Sequence, residues 1–95
     1  MYYPKKDHQL LGYRKSKTKN KKYDALIRNK KSGKTIIIPF GDVRYENYHD
    51  KTGLNLYPHL LHGDKKRRKA YRSRHRHSVR DDSYSPGWFS FYVTW

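Results

Sequence analysis

Between Lys65 and His77 the chain carries Lys65, Lys66, Arg67, Arg68, Lys69, Arg72, Arg74 and Arg76, interleaved with Tyr71, His75 and His77. Cations at this density suit the neutralisation of a row of phosphates, and planar side chains among them can stack on bases. A second basic stretch, with Lys15, Lys17, Lys19, Lys21 and Lys22, has no apolar residue between its lysines. Arginine dominates the first group and lysine the second. The first therefore suits positioned, bidentate phosphate contacts, and the second diffuse point charge.

Other chemistries find weaker support. His59 and His62 are followed at zinc-finger spacing by His75 and His77. Four neutral imidazoles are an unusual structural zinc set, however; His75 and His77 do not share a helical face, and the surrounding cations oppose a dication. Asp42, Glu46, Asp50, Asp81 and Asp82 form no recognised carboxylate constellation, and Ser32-Gly33-Lys34-Thr35 matches only the tail of a phosphate-binding loop. With no cysteine there is neither a thiolate site nor a disulfide framework. The expectation is a protein that is not an enzyme and holds no metal or cofactor.

The chain is 95 residues long, with 23 Lys and Arg against 8 Asp and Glu, a net charge of +15. Self-repulsion of that size disfavours compaction until an anionic partner relieves it, so nucleic acid or another polyanion is the expected partner. Only 34% of residues are hydrophobic, which limits the core, while aromatic residues at 16% add large buried area for few rotors. No apolar run reaches membrane-span length, and the N-terminal residues lack the apolar stretch of a signal peptide. Charge is bipartite: residues 1–22 hold eight cations and Asp7, and residues 64–80 hold nine cations and Asp64.

These groups need elements to position them. Residues 1–22 read as a flexible, extended basic arm, because Arg14 to Lys22 cannot bury enough surface to offset chain entropy; for Met1 to Tyr13, with Tyr2, Tyr3, Leu10, Leu11 and Tyr13, docking back on the body or on a neighbour is open. Residues 23–95 read as a small α+β domain. Its nucleus is a β-hairpin: Lys22 to Asn29 alternates Tyr23, Ala25 and Ile27 against Asp24, Leu26 and Arg28, Gly33 permits the turn, and Thr35 to Ile38 is β-branched up to Pro39. Residues 42–49 carry a weak helical signal, and Asp50 to Gly53 marks a second turn. Asp64 is a favourable N-cap for a basic helix over residues 64–77. At the C-terminal end Ser85-Pro86 matches a helix start and Trp88, Phe91, Tyr92 and Trp95 match its period, whereas the aromatic and β-branched content matches a strand. The expected element is a short helix packed on the hairpin.

Three segments carry a resemblance. They are Lys22-Tyr23-Asp24-Ala25-Leu26-Ile27 through Gly33-Lys34 to Pro39-Phe40-Gly41, Tyr48-His49-Asp50-Lys51-Thr52-Gly53-Leu54 through Arg67-Arg68-Lys69-Ala70-Tyr71-Arg72-Ser73-Arg74-His75, and Ser85-Pro86-Gly87-Trp88-Phe89-Ser90. In order and spacing, residues 22–95 resemble a family of small basic proteins of unknown function encoded by large DNA viruses of algae and protists. The resemblance implies a viral origin, a location in the virion or the infected cell, and a genome-packaging or virion role; it brings no activity to transfer. The expected function is sequence-independent nucleic-acid binding. The alternative is a minor capsid protein whose apolar ends, Tyr2, Tyr3, Leu10, Leu11 and Trp88 to Trp95, wedge between larger shell proteins.

Overall fold

The structure, a computed structural model, describes residues 2–95 and is an α+β domain. Strand β1 (Tyr3–Pro4) leads into β2 (His8–Lys15), β3 (Lys21–Asn29) and β4 (Thr35–Asp42). A long irregular segment precedes helix α1 (Lys65–His75), and β5 (Ser83–Tyr84) precedes α2 (Pro86–Phe89), which runs on as a π-helical turn over Ser90–Thr94. The main sheet has the antiparallel order β2-β3-β4, and β1 pairs with β5 in a small second sheet.

The alternation in β3 places Tyr23, Ala25 and Ile27 on one face, opposite Phe40, Ile38 and Ile36 of β4. All but Ile36 are buried. The turn between these strands is built by Asn29, whose Oδ1 accepts from the backbone amides of Lys31 and Ser32, and by Gly33 at φ 73°. Pro39 does not end β4, which continues to Asp42: the strand lies at the sheet edge, where a missing amide donor is tolerated.

Ser85 caps α2, its Oγ accepting from the Trp88 amide, with Pro86 at the first helical position. Phe89 stacks on Phe40 at 5.3 Å, and Val93 joins the same core. The π-helical turn rotates the last residues away from a simple helical stripe. Phe91, Val93, Thr94 and Trp95 are buried, while Trp88 and Tyr92 are half-exposed. Residues 43–45 bend through a turn and Asn47 bridges to Leu61, in place of the helical turn that the pattern of residues 42–49 suggested.

The segment before Lys22 is not a detached arm. Its residues 8–15 are β2, paired from His8↔Asn29 to Lys15↔Tyr23, and Leu10 and Tyr13 pack against the core. Two demands of β3 explain this. Its outer edge needs a hydrogen-bonding partner, and Asp24, 1% exposed, needs donors. Arg14 Nε donates to Asp24 at 3.1 Å, Ser16 Oγ at 2.6 Å and the Lys17 amide at 3.4 Å. The basic segment is thus the counterpart of a buried carboxylate.

Candidate nucleic-acid interface

Asp64 starts α1 as its sequence suggests, its Oδ1 accepting from the amides of Lys66 at 2.9 Å and Arg67 at 3.3 Å. No acidic residue falls in the helix and none of its residues is fully buried. It is held to the domain by one stripe, Arg68, Tyr71 and Arg72, at helical spacing. Arg68 Nε donates to the Trp95 carbonyl at 2.8 Å, with its guanidinium 4.9 Å from the Tyr48 ring centre. Arg72 Nε donates to the same oxygen at 3.4 Å, and its guanidinium lies 4.5 Å from the Phe91 ring centre. Burial, with the Arg68 charge beside it, lowers the Arg72 pKa from its ordinary value.

Tyr71 is stacked on Trp95 at 4.3 Å with rings 6° from parallel, and His75 packs on it at 4.3 Å. Burial raises its phenol pKa. The ring singled out from the sequence for base stacking is therefore occupied within the domain. Arg68, Arg72 and Tyr71 are first of all the helix's attachment, and His75 packs on Tyr71 within the helix.

The rest of the helix surface is different. Lys65, Lys66, Lys69, Arg74 and Arg76 are exposed, and their side chains make no hydrogen bond or ion pair among the described residues. Lys65, Lys69, Ser73, Arg76 and His77, with the flanks of Arg68 and Arg72, line a groove of about 580 Å³ that contains no acidic group. Arg67 leans the other way, 3.3 Å from Glu46, with both side chains about half exposed at 47% and 48%. Such a pair contributes little to stability.

The lysines of the other basic stretch divide as well. Lys15, Lys17, Lys19 and Lys21 are exposed, but Lys22 is 1% exposed and is not a free cation. Its Nζ donates to the Tyr45 carbonyl at 2.7 Å and to Asn47 Oδ1. Burial lowers its pKa, against the opposing pull of Asp42, Asp50 and Glu46. The Lys22 stem lies against Gly41, whose φ of 75° is in the left-handed region that favours glycine; an added Cβ there would make only an ordinary contact, 3.4 Å from the Cβ of Lys22.

Segment 42–47 joins the two basic regions. The Val43 amide donates to the Asn20 carbonyl at 3.0 Å and Lys21 lies opposite Asp42, while on the other side Glu46 meets Arg67 and the His62 amide donates to the Asn47 carbonyl at 3.0 Å. The strand lysines and the helix thus flank one loop.

That loop carries two residues absent from the sequence-based site, Arg44 and Tyr45. Tyr45 is 64% exposed, the most exposed large ring of the described residues. Arg44 forms a bidentate pair with Asp42, which holds that carboxyl at a pKa of about 2, and its guanidinium lies 5.7 Å from the Tyr45 ring centre. Nothing local in the sequence distinguishes Tyr45 from the rings of the core. Between this loop and α1 runs a cleft of about 660 Å³.

The histidines do not converge. His62 packs on Trp95 at 5.1 Å and His75 on Tyr71, and among the described residues no three His, Cys, Asp or Glu gather as a metal site. Also among these residues, no helix is long and apolar enough to cross a membrane. No protein-family model matches the chain, and no curated protein or solved structure shows significant similarity to it.

Proposed function

We propose that this chain is a small non-enzymatic protein that binds nucleic acid without sequence specificity, in a viral setting of genome packaging or the virion interior. The viral setting rests on the family resemblance of residues 22–95 alone. The binding reading is carried by one observation: α1 and the residue that follows it turn unpaired cations, Lys65, Lys66, Lys69 and Arg76, to solvent with no acid in the helix. Clustered like charges oppose each other and, near the helix N-terminus, the helix dipole. A row of phosphates removes that cost. Ammonium groups act as point charges on phosphate and carry no base code, which supports binding without sequence preference.

The alternative, a minor capsid protein gripping its neighbours by apolar ends, draws less support. Phe89, Val93 and Trp95 are buried in this domain, Tyr3 and Leu10 pack against its core, and Tyr2 and Leu11 are the exposed members of that set.

The test is a salt titration on duplex DNA. Changing Lys65, Lys66, Lys69 and Arg76 to Gln should lower the slope of log affinity against log salt by about 0.9 per lost contact, or about 3 to 4 in all. The melting temperature should hold or rise, since none of the four is buried. Changing Arg68 and Arg72 to Gln should instead lower it, because both lose the Trp95 carbonyl. An unaltered slope in the first variant would overturn the proposal.

A further inference from the structure

The two sides of α1 face different chemical surroundings. The groove on its outer side offers cations, Ser73 and His77, a surface for phosphates. The cleft on the other side, between segment 42–47 and α1, sets the Tyr45 ring and Arg44 against Arg67 and Arg74, with Trp95 also in its lining. Its volume of about 660 Å³ lies within the range of small-ligand sites. Its two carboxylates are already matched, Asp42 by Arg44 and Glu46 by Arg67, so Arg74 remains as a cation without an ion-pair partner among the described residues.

A planar group with an anion attached fits this arrangement, and a bare anion does not use it. Tyr45 offers a ring open to solvent, anchored through its backbone: its carbonyl takes the Lys22 ammonium and its amide donates to the Asp42 carbonyl at 3.2 Å. An exposed aromatic on a fixed backbone, lining one cleft with a guanidinium that has no ion-pair partner among the described residues, suits stacking on an unpaired base with an adjoining phosphate. Tyr71, which the sequence suggests for that role, already stacks on Trp95.

We infer that the cleft between segment 42–47 and α1 receives an unpaired base of a bound strand, stacked on Tyr45, with the neighbouring phosphate on Arg74. The inference rests on the nucleic-acid reading of α1 and goes beyond it, since it makes the ligand a strand with exposed bases and not any polyanion. Base stacking tolerates every base because each has a π-face, so the site adds affinity for unpaired strands without adding sequence specificity.

The experiment compares a single-stranded oligodeoxyadenylate with an abasic oligonucleotide of the same length, which keeps the phosphates and lacks the bases. Wild type should bind the first about tenfold more tightly, as expected for stacking of one base. Tyr45→Leu, at an exposed position, should bring that ratio close to one while leaving abasic affinity unaltered, and Tyr45→Phe should retain the ratio. Arg74→Gln should weaken both ligands. Equal wild-type affinity for the two ligands overturns the cleft assignment and leaves the phosphate reading of α1 standing. Binding of neither overturns both, and a ratio that survives Tyr45→Leu overturns the role of Tyr45.

Discussion

The ammonium of Lys22 donates to the carbonyl of Tyr45 across 2.7 Å, tying the start of β3 to the loop that forms one wall of the cleft. The same nitrogen donates to Asn47 Oδ1. Lys22→Met would keep most of the stem that lies over Gly41 but strand two acceptors, one of them on Asn47, which is 8% exposed. The expected loss is about 1 to 3 kcal/mol in a denaturant titration, the range for buried polar groups left without a partner. The ratio of oligodeoxyadenylate to abasic affinity should fall as well. Wild-type stability in Lys22→Met would mean that the ammonium does not hold the loop.

Deletion of residues 1–15 removes β2, and with it the partner of the outer edge of β3, the buried His8 and the guanidinium on Asp24. The truncated chain should lose its cooperative thermal transition and its near-ultraviolet circular dichroism. A shortened protein that melts like the parent would show that β2 is dispensable to the fold.

Adjacent positions on β4 should respond oppositely to charge. Ile38 is 3% exposed and Ile37 is 48% exposed. Ile38→Asp buries a carboxylate against Ala25 and should cost well over 3 kcal/mol, enough to unfold a small domain. At Ile37 the same change should cost about 1 kcal/mol or less. Thermal melts of the two variants side by side check the register, since a one-residue slip would exchange their behaviour.

Stability should fall as the solution is acidified through pH 6.5, the ordinary histidine value. Burial lowers the His49 pKa first, the Lys51, Arg68 and Arg72 cations lower it further, and Asp50 opposes them. Its Nε2 is buried with no hydrogen-bond partner among the described residues. His62 is lowered in the same way by burial and Arg67, against Glu46 and Asp64. A base whose folded pKa is depressed takes up its proton more readily in the unfolded chain, so folding is penalised between the unfolded value and the lower folded one. The melting temperature should therefore drop as the pH falls from above the unfolded value towards the lower folded one, and drop less in His49→Phe. The Asp42–Arg44 pair cannot cause this, because that carboxyl titrates near pH 2. A flat profile in the wild type would contradict the burial of both imidazoles.

The hairpin of β3 and β4 was legible because its signals are local: alternation in one strand, β-branched residues in the next and a glycine turn between them. So was α1, with Asp64 ahead of a run free of helix breakers, and so was the Ser85-Pro86 start of α2. β2 was hidden because it runs into a lysine stretch that imitates a disordered tail, and its reason to be ordered lies elsewhere in the chain, in the open edge of β3 and the carboxylate of Asp24. Counting charge along the sequence identified α1 as the basic element but could not sort its cations. That sorting depends on Trp95, whose ring and carbonyl draw Tyr71, Arg68 and Arg72 inward and leave Lys65, Lys66, Lys69, Arg74 and Arg76 outside. The fates of Lys22 and Tyr45 were decided the same way, across a separation of 23 residues. A residue's type states which contacts it can make, while burial is set by what the rest of the chain brings against it.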